Sequence, residues 1–548
     1  MTPPVLVIGA GPTGLAAACA LWSHGVPCRV VDRRTGPGTA PKGLVLWSGA
    51  LECLHRLGVA GELAAAALPL AGASYWSGGG RIGAVRFGGL PDTDFPGPLV
   101  IPQPATERAL HTRLRELGGR VEWETEAGAV TVNQVGTARS VTVTLRSAGG
   151  VEALTVPWLI GADGARSRVR ESAGIPFEGH TFDRTFLIGD GRLEGELPEA
   201  EVQHHISPDG VLVIVPQPGG HRVFFDTAAD GETAPPSDEL LQRLLDERGP
   251  GGLRLTGTWW SSRFQVHAKV APRFRAGPVL LAGDAVHAHT TAGGQGLNTG
   301  VQDGYDVGWK LASVVRGCDP ALLDSYEAER RPASVRAVRG GDQQTRMWLL
   351  RSPVAKALRD TVMRILSRTG ILETKVVPLL AQLDLDHSGS PAMADLEGSA
   401  AVPRTLRLGR RVPDVALTPV HGDAPLPLRR HLSDGRHTVL VRGDGAAGEL
   451  AAHARRLLAG HGVDDAVKVV WIQPRDTVSE TVPGPAESAG CEIARERDGA
   501  LGGTAPWVAY IRPDGVVGAR AGAAGLESLL ARLPSRPVQP ASAPAGRS

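Results

Sequence analysis

The chain has 548 residues, which at about 150 residues per domain predicts roughly three to four domains. Its 58 Lys and Arg residues balance 57 Asp and Glu residues, so no chain-wide positive field is available to hold nucleic acid or an anionic membrane. A hydrophobic content of 42% with 21% charged residues is typical of a globular protein and excludes a mostly disordered one.

Five cysteines are scattered along the chain: Cys19, Cys28, Cys53, Cys318 and Cys491. Their odd number, and the lack of any Cys-x-x-Cys pair, exclude a disulfide scaffold, a zinc ribbon and a redox-active dithiol. No uncharged apolar run reaches about 18 residues, so we expect no transmembrane helix. The apolar N-terminus lacks a positively charged leader, and we therefore expect a cytoplasmic protein.

The first thirty residues predict one βαβ unit of a doubly wound sheet. A short apolar run at Val5–Ile8 has the pattern of a fully buried strand, and a glycine-rich turn follows it. Residues 15–21 then predict a helix, and residues 29–31 predict a second buried strand that ends at Asp32. Strand, glycine turn, helix, strand and acid in this order are typical of a nucleotide-binding fold.

Further along, residues 99–118 predict a strand and a helix, and residues 120–160 are rich in strand patterns. Short strands with Gly and Pro turns between 176 and 269 predict a separate antiparallel layer. A helical pattern covers 306–370, and a Gly/Pro-rich linker is predicted at 386–404. The predicted domains are 1–175 together with 270–400, then 176–269, then 401–535, with a disordered tail at 536–548.

The clearest motif is Gly9-x-Gly11-x-x-Gly14. Its glycines allow a tight turn, a close approach of the backbone to a pyrophosphate, and close packing of helix on strand. Asp32 follows at the position where an acid can accept hydrogen bonds from an adenosine ribose. These residues predict a dinucleotide site, and they do not distinguish NAD from FAD.

Two more motifs follow buried strands. Asp163 lies in the run at 161–170, directly after the strand that ends at Ile160. Asp284 follows the strand at 279–281, and the glycine-rich run at 293–298 comes after it. A carboxylate at the end of such a strand can reach a ribityl hydroxyl, and the glycines let backbone N–H groups approach an anion.

The three motifs in this order resemble the FAD-dependent aromatic hydroxylases, the single-component class A flavoprotein monooxygenases. The resemblance spans about residues 5–340 and includes Gln103 and Glu107, as well as the run at 322–332. It is strongest to the bacterial aromatic-polyketide type, which carries a C-terminal thioredoxin-like domain without cysteines. The implied α/β fold has a Rossmann-type, glutathione-reductase-like FAD-binding domain, an inserted antiparallel-sheet substrate domain and that C-terminal α/β domain.

The resemblance also implies the FAD-binding residues. By this resemblance the glycine turn binds the pyrophosphate and Asp32 binds the adenosine ribose. Asp284 binds the ribityl chain, and residues 294–298 contact the pyrimidine edge of the flavin. Asp163 supports FAD binding and NAD(P)H use. The full implied set is Gly9, Gly11, Pro12, Thr13, Gly14, Asp32, Arg33, Lys42, Gln103, Asp163, Asp284, Gly294, Gln295, Gly296, Leu297 and Asn298.

Some positions depart from the family pattern. Lys42 and Gly49 stand where the family has arginines, Thr291 stands where it has a proline, and Asp306 replaces a common Asn. Lys42 still offers a charge to phosphate, although it lacks the fork of a guanidinium. No catalytic side chain is identified by the sequence.

Two pairs of histidines do not point to a metal. His287 and His289 precede the glycine loop without a Cys or carboxylate partner placed by the sequence, so no metal site is assigned. His204 and His205 are predicted to form a solvated pair beside the sheet layer.

The implied activity is an NAD(P)H-consuming monooxygenase that inserts one oxygen atom of O2 into a polycyclic phenol through a flavin C4a-hydroperoxide. Baeyer–Villiger oxidation or epoxidation with the same cofactor remains an alternative, and a non-catalytic flavin-binding subunit is the alternative from another class. The sequence leaves open the substrate, the position oxidised, the choice of NADPH or NADH, and whether the chain is a monomer or a homodimer. No nucleic-acid or membrane partner is expected.

Overall fold

The structure is a computed structural model that describes residues 3–136, 138–229, 231–350, 352–419, 424–463, 465–475, 490–502 and 505–536. The predicted disordered tail therefore lies outside the described residues except for its first position. None of the helices in the described part is both long and apolar enough to cross a bilayer.

A mainly parallel sheet of six strands carries the glycine turn. Its strands are β1 (Val5–Ile8), β2 (Cys28–Val31), β8 (Val121–Glu122), β12 (Trp158–Gly161), β18 (Arg275–Ala276) and β19 (Val279–Leu281). They lie in the order β18-β19-β12-β1-β2-β8, and only the β18–β19 pair is antiparallel. The strands that end in the three predicted motifs are therefore neighbours, because β1 lies beside β12 and β12 beside β19.

Small sheets and helices surround this sheet. The small strands are β3 (Val45–Leu46), β4 (Leu68–Pro69), β7 (Leu99–Val100), β9 (Glu126–Val135), β10 (Ala138–Ser147) and β11 (Gly150–Val156). The helices are α1 (Pro12–Ser23), α2 (Ser48–Arg56), α3 (Ala60–Ala66), α4 (Gln103–Glu116), α5 (Arg168–Ser172) and, later in the chain, α7 (Gln295–Val315).

Helix α7 packs closely along α1. A Cβ on Gly304 would lie 2.2 Å from the Thr13 carbonyl oxygen, and one on Gly308 would lie 2.6 Å from the Ala20 methyl group. Both distances are too short for a side chain, so these glycines allow the two helix backbones to approach each other. This packing places the N-terminus of α7 near the glycine turn.

The predicted antiparallel layer is part of an eight-stranded sheet, which we call the mixed sheet. Its strands are β5 (Gly72–Ser77), β6 (Gly80–Arg86), β13 (Glu178–Glu194), β14 (Glu201–Ser207), β15 (Gly210–Gln217), β16 (Gly220–Thr227), β17 (Arg254–Val270) and β20 (His287–Ala288). The order is β20-β17-β13-β16-β15-β14-β5-β6, with β14 and β5 parallel. The layer therefore differs from the predicted segment 176–269, because strands from residues 72–86 and 287–288 complete it.

Helices cover both faces of the mixed sheet. Helix α6 (Asp238–Arg248) packs on one face. On the other lie α8 (Asp324–Trp348), α9 (Pro353–Arg368), a π-helical turn (Leu372–Val376) and α10 (Val377–Ala381). These helices extend the helical pattern predicted for 306–370.

The C-terminal part is built on a second eight-stranded sheet. Its strands are β21 (Ala394–Asp395), β22 (Ala416–Pro419), β23 (Leu426–Pro427), β24 (His437–Arg442), β25 (Val467–Gln473), β26 (Glu492–Glu496), β27 (Trp507–Ile511) and β28 (Val517–Gly522). The helices are α11 (Leu428–His431), α12 (Gly445–Gly460) and α13 (Leu526–Leu530). The segment predicted as a linker contributes β21, which pairs with β28.

A buried charge cluster joins this part to the rest of the chain. The Glu329 carboxylate on α8 accepts hydrogen bonds from Lys310 Nζ at 2.8 Å and from the Arg512 guanidinium at 2.8 and 2.7 Å. All three side chains are almost completely enclosed. Asp306, which replaces the family's Asn, pairs with Lys310 at 2.8 Å in the same cluster.

Candidate functional site

A cavity of about 1790 Å³ lies between the carboxyl ends of the six-stranded sheet, one face of the mixed sheet and helices α8 to α10. Gly14 and Asn298 are the two predicted cofactor residues that do not line it. The others do: Gly9, Gly11, Pro12, Thr13, Asp32, Arg33, Lys42, Gln103, Asp163, Asp284, Gly294, Gln295, Gly296 and Leu297.

The glycines of the first motif have separate roles. Gly9 has φ +102°, and a Cβ there would lie 2.2 Å from the Ala162 carbonyl oxygen. A Cβ on Gly14 would lie 1.8 Å from the Gly9 carbonyl oxygen, so both positions are closed by packing. Gly11, in contrast, has no atom within 4 Å of its Cβ position and borders the cavity. This geometry fits a pyrophosphate against Gly11, where the N-terminus of α1 has no side-chain cap.

Asp32 is fixed by the turn and by an arginine that the sequence did not single out. Its Oδ2 accepts a hydrogen bond from the Ala10 N–H at 2.7 Å, and its Oδ1 accepts from the Arg34 N–H at 2.8 Å. Arg34 also donates to Glu107 at 3.0 Å, whereas Arg33 is exposed at the cavity edge. The two adjacent arginines are indistinguishable in the sequence, and only the direction of each side chain separates them.

Gln103 links the same region to the loop around Lys42. Its Oε1 accepts a hydrogen bond from the Gly43 N–H at 2.9 Å, and its Nε2 donates to Glu107 Oε1 at 2.9 Å. The Lys42 carbonyl accepts from Arg222 of the mixed sheet at 2.9 Å. Lys42 itself is exposed beside the cavity, with its amine available to an anion.

Asp163 uses its carboxylate within the protein. Its Oδ1 accepts from the Ser167 hydroxyl at 2.5 Å, and its Oδ2 accepts from the Val169 N–H at 3.2 Å, which fixes the start of α5. Burial raises the pKa of this carboxyl group. Asp163 therefore shapes the cavity wall while both of its oxygens are engaged by the chain.

Asp284 differs from Asp163, because its carboxylate is not hydrogen-bonded within the described chain. It lies in a tight turn at Gly283–Ala285 and makes no hydrogen bond to any described residue, although its side chain faces the cavity. Desolvation by the surrounding protein raises the pKa of the carboxyl group, and the nearby His287 and Lys42 oppose that shift. The carboxylate is exposed to the cavity and bonded to no described residue, so it fits a ligand that brings hydroxyl donors, as a ribityl chain does.

Asp303 on α7 holds the Asp284 turn in place. Its Oδ2 accepts from the Gly283 N–H at 3.1 Å and hydrogen bonds to His287 Nε2 at 2.7 Å. Arg330 donates to the other carboxylate oxygen at 2.8 Å. His289 in turn hydrogen bonds to His287 at 2.8 Å, so both histidines belong to one hydrogen-bond chain that ends at the cavity.

At the N-terminus of α7 the chain borders the cavity, and two predicted side chains are hydrogen-bonded to neighbouring segments. Gly294 caps the helix with φ +62°. Asn298 is fully buried, accepts from the Trp47 N–H at 2.6 Å and donates to the Val45 carbonyl at 2.8 Å. Gln295 donates to the Leu380 carbonyl at 3.1 Å. Both side chains therefore bond α7 to its neighbours. The groups of this turn that can contact the edge of a flavin are the backbone N–H groups.

Gly49 has a packing role where the family has an arginine. A Cβ on this residue would lie 2.8 Å from the Ala381 carbonyl oxygen at the end of α10. The glycine therefore lets α10 close over α2 beside the cavity. Thr291 is exposed at the cavity edge.

The mixed sheet forms an apolar wall opposite the glycine turn. Val213, Val215 and Phe224 line the cavity, whereas Phe225 points to the other face and packs in the cluster of α6. Alternation along the strands produces this division. Met347 and Trp348 of α8, and Leu358 and Val362 of α9, close the opposite side, which the sequence patterns did not assign to the substrate.

His204 and His205 are buried, so the prediction of a solvated pair is wrong. They lie on β14, an interior strand of the mixed sheet because β5 and β6 continue that sheet beyond it. His205 hydrogen bonds to Gln203 at 2.7 Å, and His204 lines the cavity.

A protein-family model described as "FAD binding domain" matches residues 2–340. The chain belongs to the family of FAD-dependent aromatic hydroxylases. The glycine turn open at Gly11, the unpartnered Asp284 and the uncapped start of α1 fit the FAD that this family binds. The protein is thus an FAD-dependent monooxygenase, with NAD(P)H as its co-substrate.

The similarity to known proteins covers most or nearly all of the hydroxylase chain. It is 34% identical over 547 residues to 6-methylpretetramide 4-monooxygenase of Streptomyces rimosus. That alignment covers 97% of this chain and 93% of the other protein. It is 33% identical over 478 residues to 12-dehydrotetracycline 5-monooxygenase/anhydrotetracycline 6-monooxygenase of the same species, covering 84% of this chain and 90% of that protein. The solved structure of the OxyS anhydrotetracycline hydroxylase from Streptomyces rimosus aligns with a TM-score of 0.73 at 29% identity, covering 98% and 100% of the two chains.

Replacing Asp284 by alanine in this hydroxylase is expected to weaken FAD binding by about ten- to a hundredfold. Loss of a hydrogen bond to a charged group costs about 1.5–3 kcal/mol, and tenfold corresponds to about 1.4 kcal/mol. Cys19→Ala is the control, because the Cys19 thiol is buried between α1 and α4, where it bonds to the Leu110 carbonyl. Equal FAD dissociation constants for both variants, measured by fluorescence titration of the apoprotein, would contradict this role of Asp284.

Proposed function

We propose that the enzyme hydroxylates a polycyclic phenol of the aromatic-polyketide class. A single cavity that continues from the cofactor residues to the apolar wall carries the proposal. Its volume of about 1790 Å³ is well above the 300–1,000 Å³ typical of a pocket for one small ligand, as expected where a cofactor and a substrate share the space. The tetracycline-related names of two similar proteins support this substrate class.

In this proposal the protein binds the cofactor, orients the substrate and excludes water. The bound FAD supplies the redox chemistry and the activation of dioxygen. Gly11, Asp32 and Asp284 would hold the FAD along the edge of the six-stranded sheet, and the backbone N–H groups at the start of α7 would be available to its ring. The side chains of the mixed sheet and of α8 to α10 hold the substrate ring beside the flavin and keep water away from it.

For the C-terminal part we propose a thioredoxin-like domain without redox function. Strands β25, β24, β27 and β28 are adjacent in this order, with α12 connecting the parallel pair β24–β25 and α13 following β28. A βαβ unit followed by a ββα unit supports the proposal. The residues at the start of α12 are Gly445 and its neighbours, and no cysteine lies there.

The test of the proposed function combines cofactor and product. Denaturation of the yellow holoenzyme is expected to release intact FAD, since the cofactor residues offer no Cys or His for a covalent link. A polycyclic phenol should accelerate NADPH or NADH oxidation in stopped-flow measurements, and the product should carry one atom from isotopically labelled dioxygen. Release of FMN, or turnover without incorporated label, would refute the proposal. Product NMR separates ring hydroxylation from Baeyer–Villiger insertion or epoxidation.

Phe224→Ala is expected to uncouple the reaction, with at least a severalfold larger share of reducing equivalents lost as hydrogen peroxide. Phe224 packs against Phe186 at a centroid distance of 5.2 Å and lines the substrate side of the cavity, so its loss leaves a space in which the ring is poorly held. Peroxide formed per NADPH consumed is the measurement. The matched control is Phe182→Ala, a buried ring of the same sheet that does not line the cavity. Loss of FAD from the Phe224 variant with unchanged coupling would contradict this placement.

A further inference from the structure

Tyr75 and His204 form a stacked pair inside the cavity. They are partners in the parallel register of β5 and β14, and their rings lie 4.7 Å apart with an angle of 6° between the planes. Both residues line the cavity on its substrate side. The pair exists because β5, from the first hundred residues, completes the mixed sheet beside β14.

Each ring offers the cavity a polar atom that the protein leaves unused. The Tyr75 hydroxyl makes no hydrogen bond to any described residue, and it is not among the polar atoms that the protein encloses completely. His204 Nδ1 is enclosed without a partner, whereas Nε2 is neither enclosed nor hydrogen-bonded to a described residue. A donor and an imidazole nitrogen are therefore available side by side.

Burial keeps both groups uncharged. It raises the pKa of Tyr75 to about 12 and lowers the pKa of His204 to about 3. The tyrosine consequently remains a hydroxyl donor at neutral pH, and the imidazole remains a neutral group with one nitrogen that accepts. A neutral pair suits a neutral ligand with oxygen atoms better than it suits an anion.

The surroundings of the pair are apolar. Trp348 lies 5.4 Å from the His204 ring, and Val213, Phe224 and Met363 belong to the same buried cluster. In such surroundings a hydrogen bond to a ligand replaces no competing protein contact, and a ligand without a matching atom leaves both groups unpaired. Sites built in this way reject ligands that lack the hydrogen-bonding atom.

We propose that Tyr75 and His204 are a two-point polar anchor that selects polycyclic substrates with two neighbouring oxygen atoms. The Tyr75 hydroxyl donates to a carbonyl or phenolic oxygen, and His204 accepts the hydrogen bond of the adjacent phenol. The carbon rings of the substrate pack on the apolar wall. The two hydrogen bonds of the anchor then determine which end of the substrate lies beside Tyr75 and His204. This inference rests on the proposed function and adds to it a chemical requirement on the substrate.

The test compares two probes that differ in their oxygen atoms, 1,8-dihydroxyanthraquinone and anthracene. Dissociation constants are measured from the change in flavin absorbance of the oxidised holoenzyme, without NADPH. Tyr75→Phe and His204→Phe are each expected to weaken binding of the dihydroxy probe about three- to tenfold and to leave anthracene binding unchanged. Tyr510→Phe is the matched control, since that hydroxyl bonds to His437 in the C-terminal sheet.

Equal losses for both probes would show that the pair acts only as apolar surface and would overturn the anchor. Unchanged binding of the dihydroxy probe to both variants would overturn it as well. Tyr75→Phe removes a single hydroxyl group, so it reports on the anchor even where His204→Phe disturbs folding. A wild-type holoenzyme that binds neither probe would refute the proposed substrate class, and the anchor with it.

Discussion

Gly11→Ala is expected to weaken FAD binding by at least about tenfold while leaving the apoprotein as stable as the wild type. The backbone at Gly11 has φ −73°, a value that alanine adopts freely, and its Cβ would meet no atom within 4 Å. The added methyl group would instead occupy the space where a pyrophosphate approaches the chain, and the hydrogen bonds to the N–H groups behind it would lengthen. Fluorescence titration with FAD and a thermal melt of the apoprotein are the two measurements.

Gly61→Ala provides the matched control for this change. Gly61 lies on helix α3, is exposed, and has nothing within 4 Å of its Cβ position. Alanine at a helical position of this kind stabilises by about 0.5–1 kcal/mol and should leave FAD binding unaltered. A fall in apoprotein melting temperature for Gly11→Ala, with normal FAD affinity, would show that Gly11 is required for packing and not for the cofactor.

Glu329→Ala is expected to destabilise the protein by about 3–5 kcal/mol, because it removes one partner of a buried ion pair. The substitution removes the carboxylate that Lys310 and Arg512 share. Lys310 keeps Asp306 and Arg512 keeps Asp514, so we expect a loss at the lower end of this range. Denaturant unfolding of the apoprotein measures the change. Glu194→Ala is the comparison, since the Glu194–Arg254 pair is exposed and such pairs contribute about 0–1 kcal/mol. Similar losses for both variants would contradict the account of the cluster.

The parts of the site that the sequence predicts best are those that local spacing determines. Gly9, Gly11 and Gly14 follow a strand of four buried residues and begin a helix, so their geometry depends on neighbours within about ten positions. Asp284 likewise follows directly from the strand Val279–Leu281. In both cases the strand end fixes the residue at the edge of the sheet, where parallel α/β sheets bind their ligands.

Long-range pairing explains what the sequence does not reveal. The segment at 72–86 has no special composition, yet it joins the mixed sheet more than a hundred residues away from its partner β14. This pairing buries His204, which a local pattern indicates as a polar surface residue. The apolar residues of α8 to α10 have helical spacing, and nothing in that spacing says which structure they cover.

Side-chain direction sets a second limit on what the sequence predicts. Asn298 and Gln295 match the motif by position, but the turn of α7 directs them into Val45 and Leu380. Arg33 and Arg34 are adjacent and chemically identical, and only the second reaches Asp32 and Glu107. A motif therefore fixes the location of the backbone, whereas the role of each side chain depends on neighbours that are remote in sequence.

Helix α7 has a consequence for attempts to dissect this protein into fragments. Its 21 residues span about 30 Å, from the cofactor edge at Gly294 to Ser313, whose hydroxyl lies 3.1 Å from His437 in the C-terminal sheet. Tyr305, in the middle of the helix, donates to the Pro513 carbonyl at 2.9 Å. A fragment that ends at residue 340, where the family match ends, would turn these buried contacts into a solvent-facing surface and would remove Arg512 from the buried Glu329 carboxylate. The smallest useful unit for engineering a flavin site from this chain therefore includes its C-terminal sheet.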